Sequence, residues 1–387
     1  VYYLYYNEKN PAKSVFVKHP SLIDEWLKEK EVYCGLKIGD NRFAFGSLKD
    51  GMIITDRSLR LISRLNSNNG LQDDAVKNIY QDSDNNLWLS LNFGIAFYEN
   101  NTPITFWKKA EGIKGVVENA IIFKGNTFAA TDKGLLKLNN ATSRFEETEL
   151  VMECYSLSKS NDHLFIASAD GLYLFDGTDY KLILEEFTYT VFFDSVRNNL
   201  YAGTDYNLYK GKLNNGKFQI DHRLEEIGAV RTIACDKAGN IIAAMANNGA
   251  IILDSHNNTT AITTKEGLPG MSENSVFSYN GNLYVSTDNG FFEWPTKNPH
   301  KVTRSALINA LPSDVNVSSA RQIKDQIWFQ TTRADKLKDS REEIMSIAPG
   351  DTSFKVVYSF LNRIQGANAK NFFYQYNKVF IGANQGL

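Results

Sequence analysis

A segment of roughly forty residues recurs along the chain, and this repeat constrains the fold more than any other feature. Its clearest copy runs from Gly70-Leu71 through Val76 to Asp82, then Asp84-Asn85-Asn86, Leu87-Trp88-Leu89 and Gly94-Ile95-Ala96-Phe97-Tyr98. That order reads as an alternating apolar strand, a polar turn, a second strand with an aromatic residue, a glycine turn and a third strand. A glycine marks the same turn in successive copies: Gly51, Gly94, Gly134, Gly171, Gly249, Gly290 and Gly386, with Asn207 standing in once. Glycine, and next best Asn, supplies the positive φ that such a hairpin turn needs. A degenerate copy surrounds Ile327-Trp328-Phe329-Gln330-Thr331-Thr332. Within the copies, Ile79, Ile121 and Val276 stand at one fixed distance after Gly70, Gly112 and Gly267.

One such unit cannot bury both of its faces, so copies must stack around an axis. The expected fold is all-β: a β-propeller of four-stranded antiparallel blades, in a seven-bladed ring. Trp88, Phe128, Phe165, Tyr201 and Tyr284 fall at equivalent points of second strands. The anchors from Gly134 to Gly386 give the seven-bladed ring over residues 101–387. Those at Gly51 and Gly94 place the last blades of a preceding propeller over residues 1–100, and Val1–Tyr6 reads as the third strand of a further blade. One continuous ring joining both ends is the alternative. Ser21–Lys30, with a Ser cap, apolar residues at helical spacing and closing lysines, predicts a short helix between blades.

Composition agrees with a folded β protein. The 387 residues include 19 Tyr and 24 Phe, with 43% hydrophobic and 22% charged. A net charge of −2 offers no basic field for nucleic acid or anionic lipid. Cys34, Cys154 and Cys235 lie far apart in apolar runs, as buried free thiols do. No apolar run reaches the roughly eighteen residues a membrane span needs. The start at Val1 and the stop at Gln385-Gly386-Leu387 lead to the expectation of a longer parent chain.

Chemical motifs are scarce. Asp82-Ser83-Asp84-Asn85-Asn86 begins like a calcium loop, but Leu87 and Phe93 occupy positions where that loop requires Gly and a bidentate carboxylate. It reads as a hairpin turn. The five histidines, His19, His163, His222, His256 and His300, show no metal-ligand spacing and read as surface or turn residues. There is neither a nucleophile elbow nor a phosphate loop. Glu185-Glu186 and Glu225-Glu226 precede first strands and read as solvated loop. No catalytic residue, metal site or cofactor is expected.

First strands line a propeller axis, and their starts rim one mouth. Lys77, Asn119, Tyr155, Tyr189, Arg231 and Asn274 stand there, two residues before the central apolar position. Tyr, Asn and Arg offer stacking faces and fixed hydrogen bonds. Asn119, Tyr155, Tyr189, Arg231 and Asn274 are therefore the candidate ligand-binding residues, against the plainer reading that they merely close the funnel and meet water.

The stretch Ile79-Tyr80-Gln81-Asp82-Ser83-Asp84-Asn85-Asn86-Leu87-Trp88-Leu89-Ser90 followed by Gly94-Ile95, and the copy Gly281-Asn282-Leu283-Tyr284-Val285-Ser286-Thr287-Asp288-Asn289-Gly290, resemble the two-component regulator propeller repeat of Bacteroidetes sensors. Asn85 stands where that repeat usually has Gly, and Ser90-Leu91 replaces Gly-Thr. The resemblance implies an extracytoplasmic, periplasmic ligand-sensing module of a membrane-anchored hybrid two-component or helix-turn-helix regulator. The mouth residues suit a small polar ligand, an oligosaccharide among the candidates; the charge leads to the expectation of no nucleic-acid contact by this region, and a homodimer of the parent is among the expected partners. A structural or protein-binding propeller of an envelope assembly is the alternative, and a carbohydrate-active enzyme is a third reading. Two carboxylates converging in the funnel about 5–9 Å apart would favour the enzyme.

Overall fold

The computed structural model describes residues 2–18, 20–100, 105–294, 301–305, 316–334, 340–347, 369–384 and 386–387. His19, His300 and Val1 lie outside them. The chain divides into two compact units, Val1–Thr105 and Phe106–Leu387.

In the first unit, Tyr2–Tyr5 pairs with Val15–Lys18. A four-stranded sheet spans Val32–Leu65, and a three-stranded sheet spans Val76–Tyr98. The expected helix is present but short, Asp24–Glu29. Ser21 does not cap it: the N-cap residue is Ile23, and the Ser21 hydroxyl donates to Asp24 Oδ1 at 2.9 Å. The helix packs Trp26 and Leu27 on Ile53 and Phe43, and the Trp26 indole donates to Asp50 Oδ2 at 2.6 Å.

The second unit is the seven-bladed ring. Five four-stranded antiparallel sheets follow one another, then sheets of three and two strands among the described residues. Each inner strand packs on the next: Val117–Phe123, Cys154–Lys159, Thr188–Asp194, Val230–Cys235, Ser275–Tyr279, Asn316–Ile323 and Ala369–Gln375. The last packs on the first.

The alternation of each strand sends side chains to both blade faces, so the core is a set of interfaces between blades. Phe128 and Ile121 meet Leu157 and Leu164. Phe165 and Ala167 meet Val191 and Leu200. Tyr201 meets Ile241, Ile242 meets Leu283, and Tyr284 meets Phe329. Phe128, Phe165, Tyr201 and Tyr284 occupy the expected equivalent second-strand positions and are at most 2% exposed. Trp88 shares the position in the first unit but is 44% exposed, in register with exposed Tyr80 and Phe97 on one bare sheet face.

Closure joins distant parts of the chain. Trp107 N–H donates to the Leu387 carbonyl at 2.8 Å, and Leu387 N–H returns the bond at 3.0 Å. Leu387, Phe380 and Trp107 share a cluster with Val117 and Leu136 of the first blade.

The anchoring glycines behave as their position demands, with one correction. Gly171 has φ +146, and a Cβ there would lie 2.1 Å from the Leu184 carbonyl oxygen. Asn207 does not adopt positive φ, unlike the seven anchoring glycines. A carboxylate holds its turn instead. Glu186 accepts from Thr204 Oγ1 at 2.6 Å, Asn207 Nδ2 at 2.7 Å and the Tyr209 hydroxyl at 2.5 Å. Glu186 is thus a structural clamp rather than solvated loop. Burial opposes its charge, but these hydrogen bonds and nearby Arg223 hold its carboxyl below the usual value.

Candidate functional site

A cavity of about 690 Å³ runs between the inner strands, and all seven contribute to its wall. The strands deliver side chains into it by a repeated irregularity. The pairing of inner with second strand slips by one residue between Val117 and Asn119, Cys154 and Ser156, Thr188 and Thr190, Val230 and Thr232, and Ala369 and Asn371. A β-bulge leaves its extra residue unpaired and re-aims the side chain. The extra residues are Glu118, Tyr155, Tyr189, Arg231 and Lys370, and every one lines the cavity.

Three of the five expected binding residues therefore stand at equivalent bulges: Tyr155, Tyr189 and Arg231. Asn119 lines the cavity but is 5% exposed and is ladder-paired with Ala130, one residue past the bulge. From Gly112 the inner strand begins one residue sooner than from Gly70, so Ala120 rather than Ile121 matches Ile79, and the mouth residue is Glu118. Asn274 does not line the cavity. It is buried, its Nδ2 donates to the Gly270 carbonyl at 3.0 Å, and its Oδ1 has no partner. Ser275 takes its place on the wall. Lys77 occupies the corresponding bulge of the first unit and is exposed.

The mouth is aromatic on one side. The rings of Tyr155 and Tyr189 lie 5.4 Å apart, and Phe187 sits 5.4 and 4.6 Å from them. The Arg231 guanidinium lies 3.6 Å from the Tyr189 ring centroid, within cation–π range. Burial and the neighbouring Glu153 carboxylate, which accepts the Tyr155 hydroxyl, push the Tyr155 pKa well up. Burial likewise raises Glu118, with Lys370 and Arg231 acting in the opposite sense. Deeper in the lumen stand Arg321, which donates to Asn371 Oδ1 at 3.3 Å, and Lys159, which donates to the Ile122 carbonyl at 2.6 Å.

Hydroxyls on the wall also have a structural task. Ser158 Oγ accepts from Phe193 N–H at 3.0 Å, and Thr232 Oγ1 from Val276 N–H at 3.0 Å. Inner strands are sheet edges, and these bonds satisfy edge amides across the gap between blades.

Sequence reading missed Glu118, Phe187, Lys159, Arg321 and Lys370. The first was a register error, and Lys370 follows a long stretch with no recognisable anchor. Arg321 lies in the degenerate copy, where the glycine that sets the register is absent. Asp82 forms the expected turn, accepting from Asp84 and Asn86 amides at 3.0 and 2.9 Å. Among the described residues, no cluster of His, Cys, Asp and Glu is placed to hold a metal, and Cys34, Cys154 and Cys235 are free thiols. Burial pushes Cys154 and Cys235 up to about 12. Among the described residues, Glu118 is the one carboxylate that lines the cavity.

Residues 70–93 match the family model described as two component regulator propeller. No curated protein matches the chain. Among solved structures, it is similar to an extracellular domain ascribed to the hybrid two component system BT3049 from B. thetaiotaomicron. The TM-score is 0.67 at 16% identity, over 99% of this chain and 53% of that one. A second is the extracellular domain ascribed to the one component system BT4673 of the same organism, with TM-score 0.58 and 15% identity over 92% and 52% of the two chains. A third, described as YCF48 bound to D1 peptide, gives 0.55 and 12% over 74% and 94%. The chain spans about half the length of the first two. These likenesses establish the propeller fold. Among the described residues, no helix is long and apolar enough to cross a membrane.

Proposed function

We propose that this chain is the extracytoplasmic, periplasmic sensor region of a membrane-anchored signalling or transcription regulator, and that it binds a small polar ligand in the lumen of its ring. One observation carries the reading. Five inner strands break their ladder at the same point, and each break turns a charged or aromatic side chain into one open cavity. A ring that needed only to close would fill these points with small apolar residues. The match over residues 70–93 and the likeness to extracellular domains of two regulators support the sensory assignment. Binding without turnover suits a wall that carries, among the described residues, one carboxylate.

Residues 1–100 belong, in this reading, to the last blades of another propeller. The bare aromatic face of Tyr80, Trp88 and Phe97 supports that assignment, since the matching positions of the ring are covered by a neighbouring blade.

A thermal-shift screen of small polar compounds, oligosaccharides included, tests the proposal. A ligand should raise the melting temperature of the wild type and leave the Arg231→Ala variant unmoved. Hits that stabilise both equally would place binding outside the lumen.

A further inference from the structure

The lumen carries charge opposite to that of the chain. The net charge is −2, yet among the described residues the cavity wall holds Lys159, Arg231, Arg321 and Lys370 against one carboxylate, Glu118. Among the described residues, no carboxylate lies within ion-pairing distance of these four cations. Three have neutral partners instead: the Tyr189 ring for Arg231, Asn371 for Arg321 and the Ile122 carbonyl for Lys159. Arg231, Arg321 and Lys370 are exposed to the lumen, and burial lowers the pKa of half-buried Lys159. The carboxylates just outside are engaged. Glu153 accepts from Tyr155, and Asp132 takes the Val116 amide at 2.7 Å. Like charges gathered around one open lumen repel one another across it, and an anion that enters offsets that repulsion.

We propose that the lumen takes an acidic oligosaccharide, a short sugar chain bearing carboxylate or sulfate groups. This rests on the lumen-binding reading above and adds the ligand's class. A pyranose has a flat apolar face that suits the Tyr155 and Tyr189 rings, and hydroxyls that suit Ser278. Its acidic groups meet the Arg231 fork bidentately at the mouth, with Lys370 three blades away across the ring and Arg321 further in. Glu118 repels an anion at the same mouth, so its neutralisation should tighten binding.

Calorimetry on the whole chain separates the two readings. The probes are a galacturonate trimer, a sulfated galactose trimer and the neutral galactose trimer. The expected result is binding of at least one charged trimer on the order of tenfold or more tighter than the neutral one, weakening as salt rises. Which charged trimer binds more tightly distinguishes carboxylate from sulfate. Arg321→Ala and Lys370→Ala should each weaken it on the order of tenfold with unchanged circular dichroism, and Glu118→Gln should tighten it about threefold. Equal affinity for charged and neutral trimers, with Arg231→Ala weakening both, would end the charge claim and leave lumen binding standing. Charged trimers that bind regardless of all four substitutions would end both claims. Failure of both charged trimers to bind at millimolar concentration would end the acidic-sugar assignment.

Discussion

Trp107 and Leu387 exchange both backbone hydrogen bonds, at 2.8 and 3.0 Å, and so hold together the first and last blades of the ring. The Trp107 ring adds an edge contact to Phe145 at 6.0 Å. A propeller has no edge to fray only while this seam holds. Trp107→Ala should cost about 2–4 kcal/mol and lower the unfolding temperature of the ring on the order of 5 °C or more. Hydrogen exchange should show the lost protection first in Ala369–Gln375 and Val117–Phe123. Uniform protection across all seven blades would contradict the seam's role.

The clamp at Asn207 gives a sharper test. From the repeat alone, Asn207→Gly would restore the usual anchor and should be neutral or stabilising. The structure predicts the reverse, because Asn207 lacks positive φ and its amide donates to Glu186. The variant should lose about 1–2 kcal/mol by chemical denaturation. A more stable variant would show that the turn wants glycine after all.

Glu186 also carries a pH signature. Its folded pKa lies below the ordinary value of 4.5, so its stabilisation is complete above that value. It is lost as pH falls through the lowered folded pKa. Glu186→Gln should therefore be less stable than wild type at pH 7, with the difference shrinking as acid is added below pH 4.5. Denaturant midpoints across this range check it, and a difference independent of pH would contradict it.

Gly171→Ala places a methyl group 2.1 Å from the Leu184 carbonyl oxygen at a φ of +146. The loss should be about 2–4 kcal/mol. Gly125→Ala, where a Cβ meets nothing within 4 Å but φ is +77, should cost about 1 kcal/mol through backbone strain alone. Denaturation midpoints that rank these two the other way would contradict the geometry.

The fold was legible because its signal repeats. A glycine turn and an aromatic second strand, copied about every forty residues, fix strand order and pairing together. The equivalence of Phe128, Phe165, Tyr201 and Tyr284 follows from counting back from each turn. The site was legible only in part, since a bulge is a one-residue event that shifts what counting finds. Tyr155, Tyr189 and Arg231 survived because each stands two residues before an apolar residue, Leu157, Val191 or Ile233, that is central in its strand. Glu118 was missed by one residue, and Asn274 was named although its side chain turns into the Gly270 loop. Glu186 escaped because hydrogen bonds to residues about twenty positions later leave no local pattern.

The central claim is that a ligand enters the lumen past the stacked pair Arg231 and Tyr189. Isothermal calorimetry of a ligand found by thermal shift, against wild type, Arg231→Ala and Tyr189→Ala, tests it most directly. A lost charge-assisted contact of this kind is worth about 1.5–3 kcal/mol, so each variant should bind on the order of tenfold to a hundredfold more weakly while remaining folded. Two folded variants that bind as tightly as wild type would contradict the account.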